Sequence, residues 1–408
     1  MRSIYLDTAR LGQMSPGAVK ALTDFVRLTA EEPSGLYFEK FLKHGLDAWP
    51  ECHSRRFPGL KGWQGIAALK RSLLKLAGSP TDGQVLLASR SAQLMELAAI
   101  SQFRVCRRVL TTDLSWPAYG EILRRQASSR HALVELIPLR QSILFDRMSS
   151  SELVDQIANA YVDRGCDGLF VPAVDNLGVQ LPVRLIVRAI ESRLSKEIGF
   201  VVVDGAQAIG HVPLDLCHDT CDVLVAGCHK WLRAYLPMGL AFYGRRRSRF
   251  IIDQTLSATL KYRQIDDPLL KFIRQIETND SNGYLETTNI SPLFSCCGAT
   301  ADLAHSTDRI REANAIRSRN ADRILNATSG TDWKWLRPDD GLRSSVVLLH
   351  SQRRSVRSAD PESVRAAFRH AGISLSNYDA GMLRLSMPDE SLNDESIDQI
   401  RRSLQSVN

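Results

Sequence analysis

The 408-residue sequence has no apolar run long enough to cross a bilayer, and its start, MRSIYLDTARLG, has no apolar leader core. A membrane span and a secretory signal are therefore not expected, and the expected compartment is the cytoplasm. Cysteine is sparse: 8 residues are far too few for a disulfide scaffold, and in that compartment they should stay reduced. His211, Cys217, His218, Cys221, Cys228 and His229 come nearest to a metal set. The Cys217–Cys221 spacing has no matching second pair, and two of the cysteines sit in strand-like apolar runs, so no metal is expected. No Gly-x-Gly-x-x-Gly follows the first strand, which removes a nicotinamide-enzyme reading of the Rossmann type. The net charge is +7, but the basic runs SRRF (54–57) and GRRRSRF (244–250) have no aromatic-rich platform or zinc-finger spacing beside them. They read as solvated surface, and no nucleic-acid partner is expected. There is no internal repeat and no low-complexity linker.

What the chain does have is the composition of a globular protein, 44% apolar and 24% charged, at a length that allows a full core. Through the middle of the chain, short apolar runs alternate with amphipathic segments. QVLLAS, RRVLTTD, DGLFVPAV, FVVVD, CDVLVAG and MGLAFYG read as strands, with helix-like stretches such as PVRLIVRAIESRLSKEI between several of them. This alternation predicts an α/β fold with a mostly parallel, buried sheet. Ligands of such sheets sit at the carboxyl ends of the strands, where Ser89, Asp113, Asp204 and Lys230 fall. After about residue 255 the pattern changes to polar, partly helical sequence, then to strand-like SSVVLLHS and GMLRLSMP among helices. The expected organisation is an N-terminal segment (1–14), a large domain (15–260) and a smaller α+β C-terminal domain (261–408) that includes a linking helix.

Two of the strand-like runs end on opposite charges, VVVDGAQ at Asp204 and CDVLVAGCHKWL at Lys230. Alone, Asp204 could be a helix cap and Lys230 an exposed residue. Together they suggest a flat cationic cofactor: a lysine for an aldehyde, and a carboxylate that keeps a pyridinium nitrogen protonated.

The pair VVVDGAQAIGHVPLDL and CDVLVAGCHKWL resembles the core of class V aminotransferase-like, fold-type I enzymes that use pyridoxal phosphate (PLP). That class includes cysteine desulfurases, kynureninases and isopenicillin N epimerases. The resemblance runs from YLDTARLG (5–12) to LRLSMP (383–388) and is most similar to the isopenicillin N epimerase-like branch through HKWL and ETTNISP. It implies a Schiff base on Lys230, which would also move protons at the substrate Cα. Asp204 would face the ring nitrogen, Gln207 the ring oxygen and His229 the phosphate. Asn176, in VDNLGVQ, would face ring and substrate. Thr287, in ETTNISP, would reach the phosphate bound by a second subunit, making the protein a homodimer with shared sites. Arg384, in MLRLSMP, would clamp a substrate carboxylate with its planar fork.

The chain also departs from that pattern. The phosphate turn reads SRSAQL, so Ser91 supplies the hydroxyl at a helix N-terminus and Arg90 is an unusual neighbour. Gly227 stands where a hydroxyl or amide residue is common; Arg90 either adds a cationic contact that compensates for the side chain that glycine lacks, or points to solvent. In DLSWPAYG the ring-stacking histidine of the desulfurases is missing; Trp116 is the expected substitute and Tyr119 the runner-up. No cysteine lies in HAGISLSNYDAGMLRLS, where a desulfurase needs its nucleophile. The implied activity is chemistry at Cα of an amino-acid-type substrate, first as an aminotransferase. An amino-acid epimerase or racemase, or a C–S/C–C lyase, is the alternative. A catalytically degenerate binding protein of the same fold is a further one.

Overall fold

The computed structural model describes residues 3–32, 39–48, 55–80, 82–216, 221–278, 287–304 and 306–407. The first strand, β1 (Ile4–Tyr5), is followed by the strands of the large domain: β2 (Gln84–Ala88), β3 (Arg108–Thr112), β4 (Leu133–Ile137), β5 (Gly168–Pro172), β6 (Phe200–Asp204), β7 (Val223–Gly227) and β8 (Gly239–Tyr243). These seven form one sheet in the order β2-β8-β7-β6-β5-β3-β4. The β7–β6, β6–β5, β5–β3 and β3–β4 pairs are parallel, and β8 runs antiparallel to both of its neighbours.

The predicted α/β class is thus what the chain adopts, and the reason lies in the runs themselves. Every residue of β5, β6, β7 and β8 is buried, as continuous apolar strands covered on both faces must be. Strand β4 has no such run. Most of it is exposed or half-buried at the sheet edge, so it carries no core pattern by which to recognise it.

Helices cover both faces. Pro117–Ser128 begins on a proline at N1, where a missing N–H costs nothing. Ser150–Asp163 begins with a capping box between Ser149 and Glu152. Two separate apolar cores result. One joins the helices Pro16–Glu31, Ile66–Leu76 and Ser291–Asp302 to one face of the sheet. The other packs Ser91–Val105 and Arg246–Lys261 on the opposite face.

The C-terminal part is built on an antiparallel sheet, β12-β13-β10-β9, made of β9 (Trp333–Trp335), β10 (Val346–Ser351), β12 (Ser376–Tyr378) and β13 (Met382–Ser386). Strand β11 (Ile373–Ser374) pairs in parallel with β1, so the N-terminal segment belongs to this core, which holds Ile4 and Leu6 beside Ile324, Leu349 and Leu385. After residue 286 the chain first forms two helices. Ser291–Asp302 joins the large core and Thr307–Ala327 crosses to the small one.

Candidate active site

The four polar strand ends divide into two kinds. Ser89 donates through its N–H and hydroxyl to the buried Asp267, and Asp113 accepts from the N–H groups of Leu139 and Arg140. These two hold loops in place. Asp204 and Lys230 instead line a cavity of about 540 Å³ at the sheet's carboxyl edge. They meet because β6 and β7 are parallel neighbours, with Asp204 in register with Val225.

Asp204 is 5% exposed. Burial raises its pKa to about 6, against the opposing pull of the Ala206 N–H and of Lys230. Lys230 is pushed below the ordinary amine range by burial and by Arg384, and Asp204 works the other way. The Lys230 turn is fixed by the N-terminal stretch of the chain: Gly12 donates its N–H to the carbonyl of His229 and Ser15 to that of Arg233. His229 also lines the cavity. Burial and Lys230 lower its pKa to about 4, and its Nδ1 is buried without a partner.

Gly227 is explained by this ring. A Cβ at 227 would sit 3.0 Å from His229 Cε1 and 3.1 Å from Nδ1, so a larger residue would crowd the histidine. The glycine makes room for His229 and needs no substitute. Arg90 is exposed, does not line the cavity and makes no capping bond, which is the solvent-facing one of its two expected placements. Its neighbour Ser91 does line the cavity, at the first turn of the Ser91–Val105 helix, and accepts from the Tyr119 hydroxyl at 3.0 Å. Gly239 permits this arrangement, since a Cβ there would lie 2.6 Å from the Ser91 nitrogen.

Trp116 and Tyr119 both face the cavity. Trp116 is 49% exposed at its rim, whereas Tyr119 is 6% exposed, and burial and then Asp204 raise its pKa. Gln207 is present as expected but already engaged: its Nε2 donates to the Ala9 carbonyl at 2.8 Å and its Oε1 accepts from Trp231 at 2.7 Å. One N–H of the amide remains for a ligand.

Arg384 reaches the cavity from β13, an inner strand flanked by β12 and β10, and is 4% exposed. It donates to the Asn176 carbonyl and to Ser376 Oγ, both at 3.0 Å, and lies 3.5 Å from Asp7, while its Nε is buried and unpaired. Asn176 also lines the cavity. Thr287 is exposed and does not line the cavity of its own chain; residues 279–286 before it lie outside the described residues. Cys217 and His218 of the metal-like cluster lie outside them too, and among the described residues no group of three metal ligands is found. No helix of the described residues is long and apolar enough to cross a membrane.

Asp7, Asp175, Asn377 and Tyr378 are cavity or clamp residues that the sequence reading did not single out. Asp175 had a signal, since it stands directly before Asn176. Asn377 and Tyr378 come from a short strand with no motif around it.

Residues 119–254 match the family model for aminotransferase class-V. No curated protein sequence matches the chain. Among solved structures, cysteine desulfurase CsdA from Escherichia coli is 14% identical with a TM-score of 0.70, over 98% of this chain and 93% of that one. Ureidoglycine-glyoxylate aminotransferase from Bacillus subtilis is 15% identical with a TM-score of 0.65, over 100% and 93%. A C-DES mutant with glycine covalently linked to its PLP cofactor is 14% identical with a TM-score of 0.68, over 100% and 97%. Over residues 119–254 the chain is similar to the class V aminotransferases, and over its whole length it has the fold of these solved structures. The donor set fits that class's cofactor, pyridoxal phosphate. A buried carboxylate with raised pKa suits a cationic ring nitrogen, a lysine of lowered pKa suits an aldehyde, and a helix N-terminus with Ser91 suits a phosphate.

Proposed function

We propose that this chain is a PLP-dependent enzyme acting at Cα of an amino-acid-type substrate, first as an aminotransferase. The observation that carries the reading is the convergence of Lys230, Asp204 and Arg384, from two strand ends of one domain and an inner strand of the other, on one cavity. When bound, pyridoxal phosphate supplies a ring that draws electrons from the substrate's Cα. Lys230 would hold the cofactor's aldehyde carbon. Its lowered pKa favours the neutral amine, the form that takes a proton from Cα. Asp204 would keep a proton on the ring nitrogen, with Ser91 and His229 at the phosphate, Gln207 at the ring oxygen and Asn176 facing both ring and substrate. The free Nε of Arg384 would receive the substrate carboxylate.

Support against persulfide chemistry comes from the cysteines. Among the described residues, none lines the cavity, and Cys296 and Cys297 sit in the Ser291–Asp302 helix. The outward position of Thr287 supports a homodimer in which it serves the neighbouring site. The cytoplasm remains the proposed compartment.

The test is the absorption spectrum of the purified protein with PLP, before and after borohydride, with Lys230→Ala as control. A reducible band that requires Lys230 supports the reading; no band with excess PLP sinks it. Release of one oxo acid per site from an amino acid alone marks an aminotransferase. Exchange of the Cα hydrogen with solvent and no oxo acid marks an epimerase or racemase, and loss of a β-substituent marks a lyase.

A further inference from the structure

Three residues that line the cavity each carry a buried acceptor oxygen without a donor: Asp175 Oδ2, Asn176 Oδ1 and Asn377 Oδ1. Each is buried, and an unpaired buried acceptor carries its full desolvation cost. The Asn176 side chain also meets the Tyr378 hydroxyl, which leaves its Oδ1 unpaired. Asp175 is 2% exposed and its Oδ1 accepts from Leu177 at 2.9 Å and Val179 at 2.8 Å, which fixes the side chain and leaves Oδ2 over. Asn176 is held through its carbonyl, which accepts from Arg384. Asn377 sits on β12 beside β13, so the set spans both domains.

Building on the PLP reading above, we propose that Asp175, Asn176 and Asn377 receive a second ammonium group of the substrate, so that the enzyme's amino substrate is a diamino acid. An ammonium brings three donors and one positive charge. The set offers three acceptors, one of them a carboxylate. A hydroxyl or amide would bring donors but no charge to that buried carboxylate, on which Arg140 is the cation acting so far. Asp204 is not a competing partner, because the cofactor reading places it at the ring nitrogen.

Arg10 and Arg365 line the same cavity and argue for a second carboxylate instead. Their case is weaker. Arg10 is exposed, so water serves it at no cost, and Arg365 already donates to Glu362 at 2.8 Å. The buried Nε atoms of Arg365 and Arg384 belong to guanidinium groups anchored through their other nitrogens, and that of Arg384 is assigned above to the α-carboxylate.

The test titrates the visible spectrum of the PLP-loaded protein with L-norleucine, L-glutamate, L-lysine, L-ornithine and L-2,4-diaminobutyrate. At least one diamino acid should bind about tenfold or more tightly than norleucine, as hydrogen bonds to a charged group allow. Asp175→Asn keeps the Oδ1 acceptor for the loop and removes the charge, so the preference should fall to about threefold or less. Asn377→Leu, which touches no loop bond, should lower the same ratio and carries the test if Asp175→Asn does not fold. Norleucine or glutamate binding as tightly as every diamino acid overturns the proposal, as does a preference untouched by both substitutions. A protein that takes no PLP overturns the parent reading and this one together, whereas a loaded protein without the preference overturns this one alone.

Discussion

Two polar clusters meet at Gln207, and they are built on opposite rules. Behind it, polar groups close on one another. Trp231 donates to the Gln207 side chain, and His211 lies stacked on Trp231 at 3.7 Å between the Gln207 carbonyl and Ser345 Oγ. Arg317 spans the carbonyls of Gly210 and His211, reaches Asp389 at 3.4 Å and lies over the Trp231 ring. In front of Gln207, in the cavity, Asp175, Asn176, Asn377 and His229 each keep a buried atom unpaired. A closed network rigidifies, and an open one stores desolvation cost that a ligand can relieve. The same burial therefore has two uses: it drives the pKa of His211 down to about 3, leaving a structural neutral ring, and raises that of Asp204 to about 6, beside a lysine of lowered pKa.

The largest effect should come from breaking the open side. Lys230→Ala should abolish the borohydride-reducible band and cost at least about 10²-fold to 10⁴-fold in turnover from lost proton transfer alone. The variant should stay folded, because it removes a buried amine that burial disfavours. A single-turnover assay and a thermal melt check the two halves.

Breaking the closed side should do the reverse. Arg317→Met strands two backbone carbonyls and leaves Asp389 without one of its two arginines, Arg233 being the other. A buried pair broken on one side costs about 3–5 kcal/mol, and we expect about 2–3 kcal/mol because the Asp389 side chain is 23% exposed. Denaturant melts should show that loss, with the fraction of folded protein still able to take PLP unchanged.

The two sides also differed in how far they could be read from sequence. Asp204 and Lys230 were legible because strands β6 and β7 are unbroken apolar runs that place the residues after them at known points on a parallel sheet, whereas Gln207 and His229 were reached only through the resemblance of the motifs around them. Arg384 was legible through the motif around it, and its strand through an apolar run. Asn377 was not: β12 is a three-residue strand, SNY, with no periodicity to read. The closed network was equally hidden. Its bonds join residues 207, 231, 317, 345 and 389, and no local pattern reports pairing over such separations. Arg90 stayed open between a phosphate contact and solvent, because sequence gives its place at a helix start but not where its side chain points.

A sharper contrast comes from Asp204→Asn, which should trade function for stability. Asp204 has a folded pKa of about 6 against an ordinary 3.8, so folding the charged carboxylate costs free energy. The cost is fully present above pH 6 and gone below 3.8, because there both states carry the proton. Without cofactor, Asp204→Asn should be more stable than the wild type by about 2 kcal/mol at pH 7–8, and the gain should vanish toward pH 4. With cofactor, the variant should lose Cα proton exchange. Equal stability at pH 8 would mean that the open side stores nothing at this position.

The smallest effect is expected at Arg90. The two sides of Gln207 differ because one meets a ligand, and a residue outside both should matter to neither. Arg90 is exposed, makes no capping bond and lies off the cavity, although it adjoins Ser91. Arg90→Ala should therefore leave PLP affinity within about twofold of the wild type, and the melting curve unmoved, as is usual for surface substitutions. Ser91→Ala should weaken PLP binding several-fold, since it removes a hydroxyl from the helix N-terminus where a phosphate would sit. If Arg90→Ala weakens PLP instead and Ser91→Ala does not, the phosphate is held from the rim, and the ligand-meeting side of the molecule extends beyond the cavity wall.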